Sequence, residues 1–310
     1  MHVPVTIVVP VYGDWPSLED CIASLKENVD MSLHTVILVN DCGPAVELMK
    51  HNIKNAIKDQ KGFQYFRNPK NLGFIGTCNR AVFELDSTNN DILLLNSDTK
   101  VTSNFIEEML AVLYTDIKHG VVSPRSNNAT IATIPLSSAP QKGIDMKKSF
   151  AIYQKLKKQY PPFYEVPVGH GFCMLIRRSL IKKYGLFDTV FGKGYGEEVD
   201  FCMRIAKDGY KCLLANHAYV FHLEARSFSL EKKAQLLEVN NKILWKRYPN
   251  YRQQVRDYMD MAVPRETALE RRAKIFTASS LKQTIKNKLR KSPRVRRVAK
   301  NLHAKINRKA

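Results

Sequence analysis

The chain alternates short unbroken apolar runs with longer stretches in which apolar positions recur every three or four residues. Residues 5–9, Val-Thr-Ile-Val-Val, form a largely β-branched run that stops at Pro10, the pattern of a strand buried on both faces. Runs at 35–39, 63–66, 92–95 and 120–123 predict four more strands. Between them, Ser17-Leu18-Glu19-Asp20 reads as a capping box that opens a helix to about Asn28. A helical stretch follows the Asn40-Asp41-Cys42-Gly43 turn to about Lys58, and Asn71-Leu72-Gly73 opens another. Ile106, Met109, Leu110, Leu113 and Ile117 recur at helical spacing. This alternation predicts an α/β fold with a doubly wound, mostly parallel sheet. Ligands of such sheets sit beyond the carboxyl ends of the strands. Polar clusters fall there: Tyr12-Gly13-Asp14, Asp41-Cys42-Gly43 and Asn96-Ser97-Asp98.

The second half is less regular. Residues 126–141, rich in Ser, Asn, Thr, Ala and Pro, read as a loop or mobile lid. Residues 166–177 place two glycines before an apolar run, and Phe191-Gly192-Lys193-Gly194-Tyr195-Gly196 leads into a helix predicted to start near Glu197. Residues 211–214 and 219–222 read as closing strands, and the chain is predicted helical from Ser229.

Composition narrows the class. With 310 residues, 44% of them hydrophobic, a sizeable core forms and global disorder is excluded. The six cysteines contain no C-x-x-C pair and read as reduced, buried side chains of a cytoplasmic protein. Residues 1–10 carry no basic leader pattern, and no window is long enough to span a bilayer. The net charge of +20 is concentrated: residues 265–310 hold sixteen Lys and Arg against two Glu. There, Leu281, Ile285 and Leu289 form one apolar stripe and Val295, Val298, Leu302 and Ile306 a second. A basic helix with a narrow apolar stripe reads as attached to an anionic membrane surface, here the inner face of the cell membrane; a solvated tail fits the same pattern. The tail lacks the interleaved aromatics of a single-strand binder, so nucleic acid is not an expected partner.

Four places carry candidate chemistry. Asp98 follows a strongly apolar strand, where one carboxylate suits Mg²⁺ or another hard cation whose shell is completed by phosphate and water; a helix cap or turn is the alternative. Asp41 is placed to accept from a base N–H or ribose, or to close an Asx turn. Glu197, Glu198 and Asp200 gather behind a glycine-rich loop, either as acids favoured at a helix N-terminus or as the source of a general base. His222 ends the last apolar run.

Several ordered blocks together resemble the inverting family 2 glycosyltransferases of GT-A fold, in particular the bacterial rhamnosyltransferase-like branch. The blocks are Ile7-Val8-Val9-Pro10-Val11-Tyr12, Asn40-Asp41-Cys42-Gly43, Asn71-Leu72-Gly73-Phe74 with Asn79, and Leu94-Leu95-Asn96-Ser97-Asp98-Thr99. They continue through Gly171-Phe172-Cys173-Met174-Leu175-Ile176-Arg177-Arg178, Gly185-Leu186-Phe187-Asp188, Gly194-Tyr195-Gly196-Glu197-Glu198-Val199-Asp200 and Val220-Phe221-His222. The resemblance implies a GT-A domain over 1–250, with a nucleotide-binding half at 1–123 and an acceptor half at 124–250. A basic helical extension over 251–310 follows. It implies transfer of one sugar from a nucleoside-diphosphate donor to a glycan or lipid-linked hydroxyl acceptor, dependent on Mg²⁺ or Mn²⁺. By the same resemblance Pro10, Val11, Tyr12, Asp41, Asn71, Asn79, Asn96 and Ser97 surround the donor nucleotide. Asp98, in the D-x-D place, holds the metal with His222. Glu198 is the base, with Glu197 and Asp200 in contention, and Gly169, His170, Gly171 and Phe172 border the acceptor. The Q-x-x-R-W block of processive members is absent. A nucleotidyltransferase, the nearest alternative, would open with a glycine-rich phosphate loop, which Pro10-Val11-Tyr12-Gly13-Asp14 does not match.

Overall fold

The computed structural model describes residues 3–136, 145–223 and 230–275. The apolar stripes between Leu281 and Ile306 lie outside the described residues, as do residues 137–141 of the expected lid. In chain order the elements are β1 (Val5–Val11), α1 (Trp15–Asn28), β2 (Thr35–Asn40), α2 (Val46–Ala56), β3 (Phe63–Arg67), α3 (Gly73–Arg80), β4 (Asp91–Leu95) and β5 (Thr99–Val101). There follow α4 (Phe105–Leu113), β6 (His119–Arg125), α5 (Met146–Lys157), β7 (Phe163–Val166), β8 (Cys173–Ile176), α6 (Arg178–Tyr184) and α7 (Glu197–Ala206). The last three are β9 (Lys211–His222), α8 (Leu230–Arg247) and α9 (Tyr251–Arg272).

The strands form one sheet in the order β3-β2-β1-β4-β8-β6-β9-β5, with β7 paired to β9 off this path. The first four are parallel neighbours, as their apolar runs predict, and β4 is buried at every position because helices cover both faces. Beyond β4 the sheet is mixed, since β8 inserts antiparallel between β4 and β6. The α/β doubly wound class holds, and its antiparallel insertion carries the Gly169–Phe172 stretch to the carboxyl end of β4.

Four sequence expectations change in detail. Helix α1 starts at Trp15, ahead of the expected capping box, because Pro16 suits the first helical turn. Ser17 Oγ instead donates to Asp14 Oδ2 at 2.7 Å. Helix α4 ends at Leu113, so Ile117 leaves the apolar stripe and is 80% exposed. The two expected closing strands are one strand, β9, whose pairing to β6 jumps from Pro124–Ala215 to Arg125–Tyr219 across an irregularity at 216–218. The described part of the expected mobile lid is a fixed loop. Ala129, Ile131, Ala132, Ile134 and Leu136 are buried, and Ile134 N–H donates to the Ser126 carbonyl at 2.8 Å.

Helix α9, the start of the expected extension, lies on the body with Tyr258, Ala262, Glu266 and Glu270 buried. All six cysteines are unpaired, and among the described residues no helix is long and apolar enough to cross a membrane.

Candidate active site

The register of two strands creates the first part of the site. Asn96-Ser97-Asp98 turns the chain from β4 into β5, and Thr99 of β5 pairs with His222 at the end of β9. Asp98 Oδ1 thereby lies 3.6 Å from His222 Nε2. His222 Nδ1 is 2.8 Å from the Asn128 carbonyl, which only accepts, so the ring hydrogen belongs on Nδ1 and the Nε2 lone pair is left for a cation. Asn127 fixes the backbone of His222 from both sides: its Nδ2 donates to the His222 carbonyl and its Oδ1 accepts from the His222 N–H, each at 2.9 Å. Phe172 stacks on the imidazole at 4.9 Å between centroids.

One carboxylate and one oriented imidazole fit a divalent cation that keeps several positions for phosphate oxygens and water. No group of three His, Cys, Asp or Glu among the described residues forms an all-protein metal cage. Asn96 and Ser97 are half-buried beside this pair. Asn96 gives its N–H to the Phe172 carbonyl at 2.8 Å and its carbonyl to Thr99 Oγ1 at 2.7 Å, so its visible task is to hold the turn.

The acids stand beside the Gly169–Phe172 stretch. Tyr195 and Gly196 both have positive φ, 73° and 101°, which turns the loop sharply into α7. Glu198 is half-buried, and its Oε2 accepts from the Gly196 N–H at 3.2 Å. A Cβ added to Gly171 would stand 4.0 Å from Glu198 Cβ and Cγ, so the Gly169–Phe172 stretch passes directly beside this side chain. Burial raises the pKa of Glu198. Glu197 is buried, its Oε2 has no hydrogen-bond partner, and burial followed by the neighbouring Glu198 pushes its carboxyl well up.

Asp200 is different. Its carboxylate is fully buried and bonded to Arg204 Nε and Arg247 Nη1 at 2.8 Å each and to the Tyr248 hydroxyl at 2.9 Å. These bonds tie α7 to α8, which corrects the expectation that Asp200 competes for the base: it is a structural acid. Within the Gly169–Phe172 stretch, His170 N–H donates to Ser123 Oγ at 2.9 Å and Gly169 N–H to Cys202 Sγ at 3.3 Å. Burial and the nearby His222 push the His170 imidazole down to about 4, so it is neutral at physiological pH, and its buried Nε2 has no partner.

The expected nucleotide residues divide. Pro10, Val11 and Tyr12 end β1 beside the Asp41 turn, whose N–H donates to the Val11 carbonyl at 2.7 Å. Tyr12 is 39% exposed. A Cβ on Gly43 would fall 1.4 Å from the Tyr12 carbonyl oxygen, so only glycine allows this close approach. Asp41 neither meets solvent freely nor closes an Asx turn. Its Oδ1 accepts from Leu72 N–H and Asn68 Nδ2 at 2.7 Å each, and its Oδ2 from Gly73 N–H at 2.9 Å, so it caps α3 from β2. Asn71, just before that helix, keeps a buried Oδ1 without a partner. The Asn79 amide is engaged by Phe187: its Oδ1 accepts from the Phe187 N–H at 3.1 Å and its Nδ2 donates to the Phe187 carbonyl at 2.8 Å.

Sequence reasoning missed three residues. Asn240 on α8 shares its Nδ2 hydrogens among the carbonyls of Phe191, Gly194 and Tyr195 at 3.0, 2.9 and 2.8 Å, and so pins the glycine-rich loop from outside. Asn127 and Asn128 orient His222. None carries a local signal: each partner is 45 or more positions away in the chain.

Residues 6–185 match Glycosyl transferase family 2. The low-salt glycan biosynthesis hexosyltransferase Agl10 of Haloferax volcanii is 26% identical over 146 residues, which span 46% of this chain and 46% of that one. The match therefore reaches less than half the length of that relative. Among solved structures, the mannosyltransferase PcManGT from Pyrobaculum calidifontis, in complex with GDP-Man and Mn²⁺, aligns with a TM-score of 0.58 and 14% identity over 94% of this chain and 81% of that one. GalNAc-T7 with UDP, GalNAc and Mn²⁺ gives a TM-score of 0.56 at 14% identity, over 80% and 51% of the two chains. S. aureus TarS 1–349 with UDP-GlcNAc gives 0.51 at 12% identity, over 86% and 80%. At such identities the likeness is one of fold, the GT-A fold. The family match takes in everything from β1 to the end of α6, more than half of the chain, and with it Asp41, Asp98 and the Gly169–Phe172 stretch: the protein belongs to glycosyl transferase family 2.

Proposed function

We propose that the protein transfers a single hexosyl or deoxyhexosyl unit from a nucleoside-diphosphate sugar to a hydroxyl of a glycan or lipid-linked acceptor, with inversion at the anomeric carbon. The observation that carries this reading is that one stretch, Gly169–Phe172, meets both the Asp98–His222 pair, through Phe172 stacked on His222, and Glu198, beside Gly171. The hexosyltransferase relative and the neighbours solved with nucleotide sugars support it.

Asp98 and His222 would hold Mg²⁺ or Mn²⁺, which when bound supplies positive charge to the departing diphosphate. Glu198 accepts the proton of the acceptor hydroxyl. The freed oxygen bonds to the anomeric carbon as the bond from that carbon to the diphosphate oxygen breaks, and the nucleoside diphosphate leaves. Glu197, kept protonated by burial, spares the site a second negative charge beside Glu198. Pro10-Val11-Tyr12 and the capped start of α3 frame the nucleotide. Residues 276–310 attach the enzyme to an anionic membrane face, where a lipid-linked acceptor would be presented.

Purified protein offered UDP-, GDP- and dTDP-sugars should consume one class of donor. NMR of the product should show an inverted anomer, and a retained one would rule out the single displacement. Asp98→Ala should abolish transfer while keeping the wild-type melting temperature. Near-normal activity in that variant, or full activity of metal-stripped wild type in EDTA, would remove the metal reading.

A further inference from the structure

Helix α9 lies outside the residues that match the family, yet it inserts two glutamates, Glu266 and Glu270, into the interior. Glu266 Oε1 accepts from Arg125 Nη2 at 2.8 Å, and its Oε2 accepts from the Tyr160 hydroxyl. Arg125 is the last residue of β6 and is fully buried, and its guanidinium lies 4.6 Å from the Tyr160 ring centroid. Its Nε donates to Asn216 Oδ1 at 2.8 Å, in the irregular stretch of β9. One guanidinium thus joins α9, the end of β6 and β9 at a single point.

Both strands run from that point to the same imidazole. β6 continues into Ser126-Asn127-Asn128, whose last two residues clamp the backbone and Nδ1 of His222. β9 continues through Tyr219 to His222 itself. A buried guanidinium is tolerated only with its carboxylate in place, so the arrangement at Arg125 persists only while α9 is docked.

We propose that Arg125 and Glu266 are positioning residues for the metal site: docking of α9 through this ion pair sets the two chain segments that aim His222 Nε2 at Asp98. The proposal rests on the reading that His222 and Asp98 hold the cation. It makes cation affinity depend on a helix that lies outside the residues matching the family.

Titration of the full-length protein with Mn²⁺ alone, following the EPR signal of the free ion, tests it without turnover. Partners that orient a metal-bound histidine typically change affinity by about tenfold or more. Glu266→Gln and Asn127→Ala should each raise the Mn²⁺ Kd by about that factor, and Tyr160→Phe by a smaller factor in the same direction. Tyr160→Phe removes one bond to Glu266 and keeps the ion pair, so it gives an answer even if Glu266→Gln does not fold. Ile53→Ala, a cavity in the distant core under α2, should lower the melting temperature and leave the Mn²⁺ Kd at the wild-type value. His222→Ala separates the two layers of the argument. If it leaves Mn²⁺ binding unchanged, the metal reading itself is wrong. If it weakens binding while folded Tyr160→Phe and Glu266→Gln bind as wild type, the α9 coupling is overturned and the metal site stands. An equal loss in Ile53→Ala would reduce the effect to general destabilisation and overturn the coupling too.

Discussion

Glu197 and Glu198 are adjacent on one helix, and burial raises both carboxyls. The folded state therefore holds the Glu197 proton more tightly than the unfolded chain does. Its contribution to stability is most favourable at low pH and is lost as pH rises from the ordinary glutamate value towards the raised folded one. Glu197→Gln stays neutral throughout, so its melting temperature should match wild type near pH 4 and exceed it increasingly up to neutral pH. A constant difference across that range would show that Glu197 is ionised in the fold. For Glu198 the consequence is kinetic: the acid limb of the rate profile should lie above the usual carboxylate range, because the base must be ionised. Glu198→Gln should lose ~10²–10⁴ in kcat and flatten that limb. The types of these residues were legible in the sequence, as an acid cluster behind a glycine loop and an aspartate after a buried strand. Their division of labour was not. Asp200 is a structural acid because Arg247 and Tyr248 reach it from 47 and 48 positions away. Asp41 is a helix cap because α3 begins beside it, and Asn79 serves Phe187, 108 positions on.

Helix α8 sets the position of Glu198, the proposed base. Asn240 holds the loop before Glu197 through three carbonyls, and Leu244 meets Gly196 so closely that a Cβ there would lie 3.0 Å from Leu244 Cδ1. On its far side the same loop touches α3, where the Phe74 N–H donates to the Lys193 carbonyl at 3.3 Å. Asn240→Ala frees three carbonyls, and because it leaves Glu198 itself intact, kcat should fall several-fold with the donor KM nearly unchanged. An unaltered kcat would show that the loop holds its shape without α8. Asp200→Asn tests the other contact between these helices. Bonds to a charged group contribute about 1.5–3 kcal/mol, so unfolding by denaturant should show a loss of that order, while kcat per folded molecule stays near wild type. The parallel strands β1, β2 and β4 were readable because a strand covered on both faces is a largely apolar run, whereas β3 at the sheet edge is only partly buried. The antiparallel β8 was visible only as an apolar run after two glycines, since pairing across the sheet leaves no trace in local periodicity. The long β9 read as two strands for a physical reason: Asn216 and His217 interrupt its apolar pattern at the irregularity where Asn216 serves Arg125.

At the scale of the whole molecule the charge is divided. Residues 265–310 carry sixteen of the 49 Lys and Arg, and from 276 onward the sequence has no Asp or Glu. The body contributes little to a surface field, whereas the tail supplies a concentrated one, and each Lys or Arg near an anionic bilayer adds about 1 kcal/mol of attraction at most. Attachment of this kind is strong at low salt and fades once ions shorten the screening length. Full-length protein should therefore sediment with vesicles containing anionic lipid at low salt, release from them at high salt, and ignore vesicles of neutral lipid. The comparison chain should end at Ile275, after α9, because removing α9 would strand the buried Arg125 as well as the basic residues. A chain ending there keeps Glu266 and Glu270 in place and loses twelve Lys and Arg, so it should keep its melting temperature and remain in the supernatant. Equal sedimentation of the two chains would assign any membrane contact to the body and remove the tail from the attachment.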